Sequence, residues 1–169
     1  MKTEKEKEEF LQLIEANKAI IYKICNSYCQ HINDREDLAQ EIIYQLWKSG
    51  NNFDGEHKFS TWMYRVSLNV AISFYRKQKT NQQQVSLSDY SSDVEDKDDG
   101  SSVQEENINL LQRFINELKE LDRALMILYL EEKSYKEIAE ILGITETNVA
   151  TRISRNKESL KQKFANSKK

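Results

Sequence analysis

Apolar residues recur at helical spacing over two stretches, from about residue 10 to 79 and from about 106 to 164, and are sparse in between. In the first stretch, "EEFLQLIEANKAIIYKICNSYCQ" spaces Leu13, Ile20, Ile21, Ile24 and Tyr28 at near-helical intervals and predicts one long helix. "NDREDLAQEIIYQLWKSG" predicts a second helix. Asp34 suits its N-cap, Glu36 and Asp37 suit the positive end of the helix dipole, and Gly50 suits the stop. "NNFDGEHKF" predicts a loop, after which Ser60 caps a third helix that ends in the basic run near Lys79. In the second stretch, residues 121–130 predict a short helix. "SYKE" has the form of a capping box, with Ser134 as cap and Glu137 three positions on, and Ile138, Ala139 and Leu142 point inward. Gly143 suits the left-handed stop, and Thr145 caps a last helix whose Val149, Ile153, Leu160 and Phe164 share one face. No repeat relates the two stretches.

The segment between them, residues 80–106, is rich in Ser, Asp and Glu. It cannot bury enough apolar surface to offset its ordering entropy, and it is too long for a loop within one compact domain. The expected fold is therefore all-α: two small helical domains, 1–79 and 107–169, on a flexible acidic linker, 80–106, with a helix-turn-helix in the C-terminal one.

Composition narrows the chemistry. The 169 residues carry a net charge of −3, so bulk charge does not point to nucleic acid, and only its distribution can. No apolar run approaches the roughly 20 residues of a membrane span. The N-terminus "MKTEKEKEEF" is too acidic for a signal peptide, and the expected setting is cytoplasmic, with no membrane insertion. Cys25 and Cys29 lie on one predicted helix face with Ile21 and Tyr28 and read as small buried hydrophobes, not as a disulfide or a metal site. "DVEDKDDG" resembles a calcium loop without its terminal Glu. His31 and His57 lack a triad partner, and no Gly-rich phosphate loop appears. No enzyme, metal or cofactor is expected.

On a wheel of about 100° per residue, the helix in "FSTWMYRVSLNVAISFYRKQK" has two apolar sectors. One holds Trp62, Met63, Val66, Val70 and Phe74, and the other Tyr64, Leu68, Ala71, Ile72 and Tyr75. Between them runs a strip of Arg65, Asn69, Ser73 and Arg76, with Trp62 at its edge, and the tail adds Lys77 and Lys79. A solvated helix face is the plain reading of such a strip. Against it, the stretch from Arg65 to Lys79 contains no acid that would make i, i+4 pairs. An aromatic and an amide beside cations are what single-stranded bases need for stacking and edge hydrogen bonds. In the last helix the face opposite the core carries Thr147, Ala150, Thr151, Ser154, Arg155 and Glu158, with Arg152 to one side. Small polar residues there permit close approach to base edges, and the two arginines reach bases or phosphates. A plain three-helix bundle with a basic end is the alternative.

These stretches together resemble the extracytoplasmic-function subgroup of the sigma-70 family. "DREDLAQEIIYQLWK" is similar to the family's region 2.2 pattern D-x-E-D-L-x-Q-E. "FDGEHKFSTWMYRVSLNVAISFYRKQK" is similar to regions 2.3 and 2.4, F-x-x-x-x-x-F-x-T-W-L-x-x-I-A-x-N. "SYKEIAEILGITETNVATRISRNKESLK" is similar to region 4.2. The resemblance implies that Asp37, Gln40 and Glu41, with Trp47 a weaker candidate, meet the clamp helices of core RNA polymerase. It implies that the loop Phe53, Asp54, Gly55, Glu56, His57, Lys58 and Phe59, with Asn69, takes a flipped base of the minus-ten element. By the same resemblance Trp62, which reads equally as core, and Ser73 would flank that site, while Arg65, Arg76 and Lys77 would hold the strand. Thr147, Ala150, Thr151, Arg152, Ser154 and Arg155 would read the minus-35 duplex, with the first helices of this domain on the polymerase flap. The linker would thread the polymerase channel as a mimic of nucleic acid, and an anti-sigma factor is an expected partner. Two positions depart from the family's V-R-S-R-I pattern and its sequel: Ala150 stands for an Arg, and Ser154 for a basic or aromatic residue. The competing classes are a stand-alone helix-turn-helix regulator and an interaction protein whose basic helices bind an acidic partner.

Overall fold

The computed structural model describes residues 3–84 and 102–167. The chain divides into two compact units, Met1–Arg76 and Lys77–Lys169, with the boundary inside the last turns of one helix.

The first unit begins with α1 (Glu4–Ala16) and α2 (Lys18–Tyr28), where the apolar spacing predicts one continuous helix. The break is at Asn17, whose side-chain amide donates to the Leu13 carbonyl at 2.8 Å while its backbone sits at φ −111°, ψ 14°. A short amide that bonds its own backbone competes with the helix ladder, and here it wins. The break also changes the inward set. Phe10 and Ile14 are buried, whereas Leu13 is exposed. Thr3 and Glu6 close a reciprocal capping box ahead of α1, at 3.2 and 3.0 Å.

α3 (Ile32–Ser49) starts earlier than the sequence suggests. His31 takes the cap position, and Asp34 lies in the first turn, where its charge meets the dipole without a cap bond. Arg35 donates to the Cys29 carbonyl at 2.9 Å and holds the α2–α3 corner. Gly50 does not take the left-handed stop; it continues into a 3-10 turn, Gly50–Asn52. After the loop, α4 (Phe59–Gln84) begins one residue before Ser60, which therefore sits in the first turn. Ile24, Leu38, Ile42, Leu46, Met63 and Leu68 are fully buried among α2, α3 and α4. Each such side chain contributes roughly 1.5–3 kcal/mol.

The second unit holds α5 (Val103–Asn116), α6 (Glu120–Leu130), α7 (Tyr135–Leu142) and α8 (Glu146–Ser167). Ser102 caps α5 by accepting the Glu105 N–H. Both ends of the expected linker are thus helical, since α4 runs on to Gln84 and α5 opens at Val103. Asn and Gln near the end of α4 are tolerated in a helix, and a Ser cap starts the next one, so helix extends past a polarity-based reading at both ends. Residues 85–101, with the calcium-loop-like stretch 93–100, lie outside the described residues. The buried Arg123 caps the end of α5 by donating to the Asn116 and Leu118 carbonyls. Ile115, Met126 and Leu160 form the core beside it, with Leu111 and Phe114 packed on top.

The helix-turn-helix forms as expected. Ser134 accepts the Glu137 N–H at 3.1 Å, and Gly143 takes φ +69°. Thr145 accepts the Asn148 N–H at 3.1 Å.

Candidate nucleic-acid interface

The α4 strip is exposed along its length: Arg65, Asn69, Ser73, Arg76 and Lys77 all face solvent. The opposite side buries Met63, Tyr64, Ser67, Leu68 and Ala71, and Trp62, Val66, Val70 and Phe74 are half-buried. The helix therefore has one buried face with half-buried shoulders, where the wheel suggests two separate sectors. Ser67 lies at the centre of the buried face with its hydroxyl unbonded, a position the sequence reading leaves out.

Beside the strip, the loop between the 3-10 turn and α4 is stapled by rings. Phe53 and Phe59 meet edge to face at 5.3 Å, and each lies 5.5 Å from Trp62. Phe59 is buried, and Phe53 and Trp62 are half-buried. These three rings form a floor beneath the loop, with Phe59 the most buried of them. Asp54, Gly55, Glu56, His57 and Lys58 are all exposed above that floor. The Asp54 carboxylate accepts the Glu56 N–H at 2.9 Å, and Gly55 takes φ +80°, which makes a tight turn that a side chain would strain.

On α3, Asp37, Gln40 and Glu41 are exposed on one face, and Gln45 donates to Glu41 at 3.0 Å. Trp47 lies at the rim of this face with its ring 6.2 Å from Phe10. The sequence reading misses Ile43 and Tyr44, which are exposed beside the acids. Apolar residues at polar wheel positions are the signal that could have found them.

On α8, Thr147, Thr151, Ser154 and Arg155 are exposed, and Ala150 is half-buried. Arg152 has partners within its own unit. Its guanidinium donates to Asp122 of α6 at 3.3 Å and to Asn148 at 3.0 Å. Asp122 also accepts from the buried Asn156 amide at 3.3 Å. Arg152 therefore braces α8 against α6, and Arg155 is the arginine left on the outward face. Lys157 lies over the Tyr129 ring, 4.6 Å from its centroid, and a hydrogen bond to Tyr129 raises its pKa. Cys25 and Cys29 are buried free thiols, and burial pushes Cys25 up to about 11, so it stays protonated at neutral pH. No cluster fit for a metal occurs among the described residues, and no described helix is long and apolar enough to cross a membrane.

Comparison with known proteins matches these two halves in order. Sigma-70 region 2 matches residues 13–80, and Sigma-70, region 4 matches residues 108–160. The chain is 32% identical to the ECF RNA polymerase sigma factor SigW of Bacillus subtilis, over 94% of this chain and 90% of that one. It is 30% identical to the ECF RNA polymerase sigma-E factor of Haemophilus influenzae, over 78% and 75% of the two chains. Among solved structures, the fold is similar to the sigma factor RpoE bound to the anti-sigma factor NepR from Bartonella quintana, with a TM-score of 0.64, 19% identity, and coverage of 95% and 96%. It is similar also to CnrH in complex with the cytosolic domain of CnrY, with a TM-score of 0.66, 18% identity, and coverage of 94% and 89%. With both regions matched in order and such a relative aligned over nearly all of both chains, the chain belongs to the extracytoplasmic-function group of the sigma-70 family: it is an alternative sigma factor that directs RNA polymerase to promoters, not a stand-alone regulator.

Proposed function

We propose that the exposed strip of α4 and the loop above its aromatic floor capture the non-template strand of the minus-ten element as it melts. The observation that carries this reading is the strip itself: Arg65, Asn69, Ser73 and Arg76 side by side, with no acid from Arg65 to Lys79. Taking a base out of the stack costs roughly a few kcal/mol, which new contacts must offset. Residues 54–58 form the pocket wall, and the Asn69 amide supplies paired donor and acceptor atoms for a base edge. Arg65, Arg76 and Lys77 hold phosphates without sequence preference.

The α3 face of Asp37, Gln40 and Glu41, extended by Tyr44 and Trp47, docks on the clamp helices of core polymerase. The second unit sits on the flap and reads the minus-35 duplex through Thr147, Ala150, Thr151, Ser154 and Arg155. With Ala150 and Ser154 small and Arg152 held by Asp122, fewer cations face the groove, and hydroxyls and apolar contacts carry more of the readout. The protein works in the cytoplasm, and an anti-sigma factor holds it inactive by covering these surfaces.

The test is promoter binding with and without core polymerase. The purified chain alone binds promoter duplex weakly, and adding core polymerase yields specific, melted complexes. Asn69→Ala lowers open-complex formation by about tenfold, the discrimination one base-edge contact supplies, and leaves the affinity for core unchanged. An equal fall in both would overturn the pocket assignment.

A further inference from the structure

The loop that presents residues 54–58 has a tight turn of its own, in which the Asp54 carboxylate accepts the Glu56 N–H, and its two ends are set by rings. The ends are Phe53 and Phe59, whose rings close on Trp62. One further ring completes this floor, and it comes from a distant part of the sequence. Phe10 of α1 is only 6% exposed and lies 5.8 Å from Phe59 and 5.9 Å from Trp62, edge-on to both. Its other side meets Trp47, at the rim of the α3 face, at 6.2 Å. Phe10 precedes the residues that Sigma-70 region 2 matches, which begin at 13.

We propose that Phe10 is a positioning residue for base selection at the minus-ten element. The inference rests on reading loop 54–58 as the base pocket. Edge-to-face contacts are directional, so this ring fixes the tilt of Phe59 and Trp62 in a way an aliphatic side chain of similar burial does not. Tilt at these two rings sets the height and spacing of the loop ends. A pocket that selects one base by edge hydrogen bonds is sensitive to displacements of well under an ångström to about one ångström. Phe10 also touches Trp47 of the proposed docking face, so base preference is compared among complexes already formed with core polymerase.

The experiment uses full-length protein with core polymerase on a promoter and on versions carrying each other base at the selected minus-ten position. Open complexes are counted for wild type, Phe10→Leu, Ile24→Val and the loop variant His57→Ala/Lys58→Ala. Ile24 of α2 is fully buried and serves as the matched core change. The expected result is that Phe10→Leu reduces the preference for the selected base by about threefold to tenfold, the range of one or two ring pairs removed. Ile24→Val keeps the wild-type preference. An unaltered preference in Phe10→Leu, or an equal loss in Ile24→Val, would overturn the positioning role while the loop variant still shifts preference. An unaltered preference in the loop variant would remove the pocket reading itself, and the inference with it.

Discussion

The two units carry their proposed nucleic-acid surfaces on opposite plans. In the first, Arg65, Asn69, Ser73 and Arg76 project from a helix stretch without acids, and the adjoining loop rests on a floor of rings. In the second, α8 is cross-braced: Arg152 and Asn156 both reach Asp122, Lys157 covers Tyr129, and Lys163 pairs with Glu117 at 3.0 Å. The difference suits the two targets proposed for them. A melted strand is pliable and needs cations and a shaped pocket. A duplex groove has fixed dimensions and needs a helix held at a fixed angle.

The largest expected effect tests the bracing. Arg152 and Asp122 are 33% and 21% exposed, so the pair is partly shielded from water and exceeds an ordinary surface ion pair. Asp122→Ala removes the shared acceptor and leaves the Asn156 amide buried without it. The second unit should lose about 2 kcal/mol, within the range for stranding a buried polar group. Denaturant unfolding of the full chain checks this, and a loss below the error of the method would mean that the brace is ornamental. Minus-35 recognition should weaken with it, while core binding through α3 stays intact.

Much of this was legible in the sequence because local chemistry dictates it. Ser134, Gly143 and Thr145 mark the helix-turn-helix, and each makes the bond or takes the angle its residue type favours. The strip on α4 was legible because a helix wheel needs only spacing. What stayed hidden depends on contacts between residues far apart in the chain. The partner of Arg152, Asp122, lies 30 residues earlier in the chain. The rings that pack on Phe59 come from Trp62 and from Phe10, far up the chain. The break at Asn17 is local but still hidden, because an amide that competes with the backbone has the same letter as one that does not.

A smaller effect concerns the turn that sets α7 against α6. Two successive helices here end with a residue at positive φ, Glu132 at 60° and Gly143 at 69°. In both, the next N–H reaches five residues back, from Lys133 to Leu128 at 3.2 Å and from Ile144 to Ala139 at 3.2 Å. That is the left-handed helix ending at which glycine is favoured. Glu132 carries a steric penalty of roughly 1–2 kcal/mol there, partly offset because glycine loosens the unfolded chain. Glu132→Gly should therefore stabilise the second unit by up to about 1 kcal/mol, seen as a raised unfolding midpoint. A lowered midpoint would mean that the Glu132 side chain makes a compensating interaction.

The smallest effect on stability separates the two plans most cleanly. Arg65 is exposed on α4 and lies on the strip rather than in a brace. Replacing it removes charge from the surface and leaves the core untouched, so Arg65→Ala should change unfolding free energy by less than about 0.5 kcal/mol. Its effect belongs to binding. For every phosphate that is no longer neutralised, the slope of log affinity against log salt falls by about 0.7 on a single strand. Open complexes formed by the variant should therefore be weaker at low salt and less sensitive to added salt, whatever the base at the selected position. Asp122→Ala should do the reverse, costing stability and leaving the minus-ten salt slope alone. If Arg65→Ala instead destabilised the fold and left the slope unchanged, the strip would be a structural face, and the contrast between a pliable surface and a braced one would fail at its simplest point.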